Sequence, residues 1–220
     1  PDNRPFGTHL DVGARGYEWV NHSMAPTQLP SHDFRVWIGG SPDVPSSSVQ
    51  PCTQPYEASV FNISAMSFGS LSANAILALN QGAKAGGFAH DTGEGSISQH
   101  HRVHGGDLIW EIGSGYFGCR NPDGTFSEER FTANAIDPQV KMIELKLSQG
   151  AKPGHGGILP GAKVTAEIAA ARGVVEGEAC ISPARHSAFS TPVEMMQFIG
   201  RLRTLSGGKP TGFKFCLGHP

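Results

Sequence analysis

A chain of 220 residues with 38% hydrophobic and 16% charged residues is long enough to bury a core and sits in the globular range. Its formal net charge of -2, with Lys and Arg scattered, gives no basic field for a phosphate backbone, so no nucleic-acid partner is expected. No apolar run approaches the ~20 residues that cross a bilayer and no signal peptide is visible, although a chain opening at Pro1 without Met leaves room for an upstream anchor.

Residues 1–57 are rich in Pro, Ser, Gly and His, lack helical or strand periodicity, and contain the punctuators Gly39-Gly40-Ser41-Pro42 and Ser46-Ser47-Ser48. They read as an irregular N-terminal arm. Part of it packs, because Tyr17, Trp19, Phe34, Val36, Trp37 and Ile38 are too many for a free linker. From Ser59 onward short apolar runs alternate with helical stretches. Residues 60–66 read as a buried strand, followed by a helix that Ser72 caps, that sets Ile76, Leu79 and Ala83 on one face, and that ends at Gly86-Gly87. Phe88-Ala89-His90 starts a second strand, 140–147 is another, and Thr165 caps a helix through Arg172. Thr191-Pro192-Val193-Glu194 is a capping box with Pro at the first helical position. Met195, Phe198, Ile199 and Leu202 follow at helical spacing up to Gly207-Gly208, and 213–217 is a final strand.

Alternating strands and helices predict an α/β fold with parallel strands. A complete (β/α)8 barrel of the TIM type takes ~250 residues. About 160 follow Ser59, and the last strand has no covering helix after it, although a parallel sheet needs both faces covered. The expectation is a truncated TIM-type barrel. Residues 1–57 form the arm, and 58–220 form the first part of the barrel, cut off before its C-terminal units.

Three Gly-rich segments follow predicted strands: Met66-Ser67-Phe68-Gly69-Ser70, Asp91-Thr92-Gly93-Glu94-Gly95 and 150–157. Loops at the carboxyl ends of strands carry the active sites of β/α barrels, and glycine lets backbone approach a ligand closely. Ordinary loop punctuation explains any one of them; three in register favour a site. On the last strand Phe213, Phe215 and Leu217 share the face that helices cover, which turns Lys214 and Cys216 into the barrel. A half-exposed strand with a solvated Lys214 is the plainer alternative. The same alternation puts Glu144 and Lys146 on the inner face of the 140–147 strand, where they can neutralise each other.

Asp91-Thr92-Gly93 matches the aspartic-protease triplet, but no second triplet exists to complete a carboxylate pair. His100, His101 and His104 imply no fourth ligand and read as a polar surface cluster, so no metal site is assigned. Cys52, Cys119, Cys180 and Cys216 stand 36 or more residues apart, without the spacing of zinc or iron–sulfur ligands, and the reducing cytosol is the expected compartment.

Together these blocks resemble the FMN-binding synthase domain of the glutamate synthase family, the central domain of the large subunit, and are most similar to its short single-domain relatives. The similarity runs over 60–217. It is carried by Ile63-Ser64-Ala65-Met66-Ser67-Phe68-Gly69-Ser70-Leu71-Ser72, by Thr92-Gly93-Glu94-Gly95, by 149–157 with Leu159-Pro160-Gly161, and by Ile181-Ser182-Pro183 with His186. The resemblance implies that ammonia and 2-oxoglutarate form 2-iminoglutarate and that reduced FMN passes hydride to the imine carbon, giving L-glutamate. The cofactor carries that chemistry, and the protein supplies position and charge. Met66, Ser67, Gln149 and Lys214 are then cofactor-binding, with Met66 and Ser67 at the isoalloxazine edge and Lys214 offsetting charge near N1 of the reduced ring. The implied catalytic set is Lys152 and Arg172, which match a clamp on the two carboxylates of 2-oxoglutarate, and Glu94, which matches a carboxylate near the substrate. An electron-donor protein or domain is an implied partner, and an incomplete barrel edge is compatible with a homo-oligomer.

The chain departs from the family at several positions. His155-Gly156-Gly157-Ile158 stands where the family usually has Glu-Gly-Gly-Gln, and Ile158 cannot offer the hydrogen bond of a Gln. Trp110, Glu111 and Tyr116 replace Lys, Gln and Arg. Nothing resembles the family's amidotransferase domain. Its iron–sulfur cysteines and Gly-rich phosphate loop belong to later barrel units, so a cluster is an expectation for the parent protein only. Another FMN barrel oxidoreductase acting on a different small acid, or a non-catalytic flavin or metabolite binding module, are the alternatives.

Overall fold

The computed structural model describes residues 15, 23–28, 30–31, 34–40, 52–147 and 156–216. The chain forms two compact units, Pro1–Phe34 and Arg35–Pro220. In the second, β1 (Arg35–Ile38) pairs antiparallel with β2 (Tyr56–Ser59). Both lie in or at the edge of the segment read as having no strand periodicity. The alternation is missing because Val36, Trp37 and Ile38 are all exposed, so neither face of β1 carries a core.

The expected strand at 60–66 shrinks to one parallel bridge between Ile63 and His90, with Val60 and Phe61 exposed. The Asn62 side chain explains the loss. It donates to Ser59 O at 2.8 Å and accepts from Ala89 N at 3.0 Å, so a side chain takes the ladder's place at that end, while Ile63 N–Ala89 O, Asp91 N–Ile63 O and Met66 N–Asp91 O keep a short backbone pairing. Helix α1 (Ala73–Gly86) starts where Ser72 Oγ accepts from Ala75 N and ends on Gly87 in the left-handed region (φ 65°). Its buried face is Ile76, Asn80 and Ala83, with Leu79 only half-buried. Asn80 takes that place because its amide pairs with both backbone groups of Gly106, at 3.0 and 3.3 Å.

After β3 (His90–Asp91) comes the short α2 (Gln99–Arg102). It corrects the expected surface histidine cluster: His101 is fully buried, with Nδ1 2.8 Å from Ser98 Oγ. Strand β4 (Leu108–Ile112), helix α3 (Glu128–Ala135) and strand β5 (Val140–Lys146) follow. A small antiparallel pair of β6 (Ile158–Leu159) and β7 (Cys180–Ile181) flanks α4 (Ala166–Arg172), which Thr165 caps as expected. Helix α5 (Pro192–Leu205) has the reciprocal Thr191–Glu194 capping box, and β8 (Thr211–Lys214) ends the described elements.

The sheet order is β3-β4-β5-β8, parallel throughout. Spatial order equals chain order, with helices between successive strands. A doubly wound sheet reverses direction at a switch point; this one grows one way, as strands of a (β/α)8 barrel do. Among the described residues no pairing closes it. Leu108, Trp110, Ile112, Ile143 and Leu145 form the outer face, packed on Phe131 of α3 and on Phe198, Ile199 and Leu202 of α5. No helix among the described residues is long and apolar enough to cross a membrane.

Candidate active site

The inner face of the sheet carries charge in rows. Parallel register sets Glu111 of β4 beside Glu144 of β5, and two residues on sets Lys146 of β5 beside Lys214 of β8. Like charges side by side repel, and the diagonal contacts offset this. Lys214 Nζ donates to Glu111 and lies 3.5 Å from Glu144, whereas Lys146 Nζ lies 3.6 Å from Glu111 and 3.2 Å from Glu94. The expected Glu144–Lys146 neutralisation is therefore replaced by crossed pairs. Neighbours along one strand face project side by side, and the longer lysine stems reach the next strand's carboxylates.

Burial pushes the Glu111 carboxyl above its ordinary range, and the ammonium groups of Lys214 and Lys146 pull it back. Asp91 lies behind the row with its carboxylate clustered against those of Glu111 and Glu144, and accepts from Gly93 N at 2.8 Å. Its pKa is raised well above the ordinary value by burial and then by the two glutamates. For Lys214, burial lowers the pKa, but Glu111, Asp91 and Glu144 more than reverse this and leave it raised.

These rows end at a cavity of about 660 Å3 at the carboxyl end of the sheet. Of the residues assigned from sequence, Met66, Ser67, Glu94, Arg172 and Lys214 all line it. Lys152 and Gln149 lie outside the described residues. Ile158 is also on the wall and is exposed, and Phe213 and Phe215 are exposed rather than covered by helices, since no described helix follows β8. Arg172 is 4% exposed, donates to Phe68 O at 3.1 Å and stands 5.2 Å from the Phe117 ring centroid. Its Nε is buried without a hydrogen-bond partner, and burial lowers its pKa, with Cys180 and Glu94 opposing.

Two glycines are required by close approach. Gly93 has φ 64°, and a Cβ there would come within 2.9 Å of Ser67 N; a Cβ on Gly156 would stand 1.7 Å from the Ser182 carbonyl oxygen. Behind the wall, His186 Nε2 lies 2.7 Å from Lys146 O and Nδ1 lies 3.1 Å from Tyr116 Oη, which accepts from Ala188 N at 3.2 Å. Tyr116, fully buried, thus ties the 183–189 loop to the end of β5. Sequence reasoning did not place Phe117, Cys180 or Ser182 on the site, and it took Glu111 only as a departure. The usable signal was a charged residue at the carboxyl end of a strand.

The cavity falls within the 300–1,000 Å3 usual for small-molecule sites. An apolar wall of Met66, Leu71, Phe117 and Leu159 faces the cations Lys146, Lys214 and Arg172. That donor set suits a flat, partly apolar ring with an anionic edge, so the residues present fit a flavin ring.

A family model described as a conserved region in glutamate synthase matches residues 41–220. The chain is 44% identical over 180 residues to the glutamate synthase large subunit-like protein YerD of Bacillus subtilis, covering 81% of this chain and 34% of that protein. It is 34% identical over 231 residues to the archaeal-type glutamate synthase [NADPH] of Thermotoga neapolitana, covering 99% and 43% respectively. The archaeal glutamate synthase [NADPH] of Methanocaldococcus jannaschii is 36% identical over 158 residues, covering 71% and 28%. The chain thus spans between about a quarter and two fifths of the length of these relatives.

Proposed function

The chain belongs to the glutamate synthase family, and from that premise we propose that the full-length protein is an FMN-dependent oxidoreductase that reduces 2-iminoglutarate, formed from 2-oxoglutarate and ammonia, to L-glutamate. The observation that carries this reading is the convergence of Met66, Ser67, Glu94, Arg172 and Lys214 on one cavity, although they come from separate parts of the chain. Met66, Ser67, Gln149 and Lys214 would hold the flavin, which when bound supplies a hydride equivalent to the imine carbon. Arg172 offers a buried guanidinium to a substrate carboxylate, with Lys152 as its partner on the second carboxylate. Glu94, held by Lys146, stands at the same wall to take or give a proton at the substrate nitrogen.

Relatives named for NADPH point to a reductase partner or domain as the electron source. An iron–sulfur cluster would be ligated elsewhere in the parent. The wide spacing of the cysteines fits a reducing compartment such as the cytosol. Ile158 on the wall favours a second reading, the same flavin chemistry on a different small acid.

The test is reoxidation of reduced flavin in the full-length protein by 2-oxoglutarate with ammonia. Lys152→Ala and Arg172→Ala are each expected to raise the keto-acid requirement on the order of 10-fold or more with flavin content unchanged, since each removes a charge-assisted hydrogen bond. A variant that loses flavin and keeps its substrate affinity would overturn the role given to that residue.

A further inference from the structure

Three cations line the cavity, and two of them are already engaged. Lys214 is held by Glu111 and faces Glu144 at 3.5 Å; Lys146 faces Glu94 at 3.2 Å and Glu111 at 3.6 Å. Glu111 is common to both and is 1% exposed, so water reaches its contacts only from the side of Lys214, whose side chain is 35% exposed. Arg172 differs. Among the described residues no carboxylate lies within salt-bridge distance of it, and its Nε is buried without a partner. A buried guanidinium whose contacts are Phe68 O, the Cys180 side chain and the Phe117 ring, with no carboxylate against it, is costly unless a ligand anion completes it.

We infer that Glu111 is a positioning and specificity-determining residue, whose carboxylate fixes Lys146 and Lys214 in the wall and compensates their charge, leaving Arg172 as the cation offered to a ligand carboxylate. This deepens the proposed function, on which its substrate consequence rests. With Lys146 spent on Glu111 and Glu94, the wall pulls strongly on one carboxylate through Arg172 and adds little to the hold of Lys152 on the second. It narrows the preference for a dicarboxylic over a monocarboxylic 2-oxo acid. The titratable and charged groups facing this cluster among the described residues are Asp91, Glu94, Glu111, Glu144, Lys146, Lys214 and Arg172, with His186 against Lys146 and with Cys180 and Cys216 on the cavity wall.

Two measurements on the full-length protein test it. In the first, an amine-acetylating reagent labels the protein across a pH series, with each lysine read by mass spectrometry. Lys214 is expected to label more slowly than the exposed Lys84 and Lys163 in the native protein. In Glu111→Gln its labelling midpoint should move to lower pH by about a unit or more, because one of its two contacting carboxylates is gone. The native comparison stands even if the variant does not fold. Lys214 labelling as fast as the surface lysines, or a midpoint unmoved by Glu111→Gln, overturns the inference.

In the second, equilibrium binding of 2-oxoglutarate and 2-oxobutanoate is compared. Glu111→Gln should tighten the dicarboxylate relative to the monocarboxylate on the order of 10-fold, the size of one released charge-assisted contact. A purely structural role would shift both acids alike, and an unchanged ratio overturns the specificity claim. Failure of the native protein to bind either acid, with the labelling shift intact, sinks the proposed function and leaves the lysine-fixing role of Glu111 standing.

Discussion

His90 is fully buried, and neither ring nitrogen has a hydrogen-bond partner. Burial takes its pKa from 6.5 to about 4, and burial together with His90 and other cationic neighbours takes His101, 5.2 Å away between ring centroids, to about 4. The unfolded imidazoles gain protons below pH 6.5, and the folded ones stay neutral down to about 4, so folding stability falls with pH across that window. Each shift amounts to roughly 3 kcal/mol when the window is fully crossed, and neighbouring rings do not add simply. His90→Leu keeps an apolar side chain and abandons no hydrogen bond. Chemical unfolding at pH 7 and pH 5 should therefore show a smaller loss for the variant than for the native protein; equal losses would show that folding does not lower the His90 pKa. That Met66, Ser67, Glu94, Arg172 and Lys214 share one cavity was foreshadowed by the family motifs, and for Lys214 by strand alternation as well, while their roles stay part of the proposal. Burial of His101 was not, since three histidines in a polar stretch look alike whether they face water or the sheet. Glu111 was half legible: its departure from the family showed, but its two lysine partners come from other strands that only the register brings beside it.

At the scale of elements, legibility and energetic weight part company. Thr191-Pro192-Val193-Glu194 announced α5 unmistakably, and the structure has both halves of the box, with Thr191 N donating to the Glu194 carboxylate at 3.1 Å and Glu194 N donating back to Thr191 Oγ1 at 3.2 Å. Helix α3 had no comparable signal, because its polar sequence carries just one large apolar residue, Phe131. That ring is fully buried and stacks on Trp110 of β4, with centroids 5.2 Å apart and planes at 14°. Removing the Thr191 cap should cost about 1 kcal/mol, whereas Phe131→Ala opens a cavity between sheet and helix worth roughly 3–5 kcal/mol. Unfolding of the two single variants under one set of conditions checks the ranking. A Thr191→Ala loss as large as that of Phe131→Ala would mean that α3 is not a principal cover of the sheet. Strand 60–66 was misjudged for a related reason: its apolar run suggested burial, but the Asn62 side chain bridges Ser59 O and Ala89 N, and Phe61 packs edge-on against Phe88 at the surface.

For the molecule as a whole, alternation of elements predicted α/β, and the one-way strand order adds what periodicity cannot supply, the direction in which the sheet grows. The direction has a consequence for the cofactor. The chain provides the Met66, Arg172 and Lys214 walls of the cavity, whereas β/α barrels cradle a phosphate with loops after strands seven and eight. The sheet here has four strands with the Ile63 bridge on one side and β8 on the other, where Phe213 and Phe215 stand 42% and 50% exposed. A parallel edge flanked by exposed aromatic rings is a surface on which chains associate. Residues 1–220 expressed by themselves are therefore expected to purify without flavin colour and to run above monomer size in gel filtration, with association weakened by Phe213→Lys, which places a charge beside the edge. A protein of the relatives' full length should be yellow. A monomer of residues 1–220 that retains equimolar flavin would contradict the expectation outright, because the walls around Met66, Arg172 and Lys214 would then hold the whole cofactor without a cradle from later units.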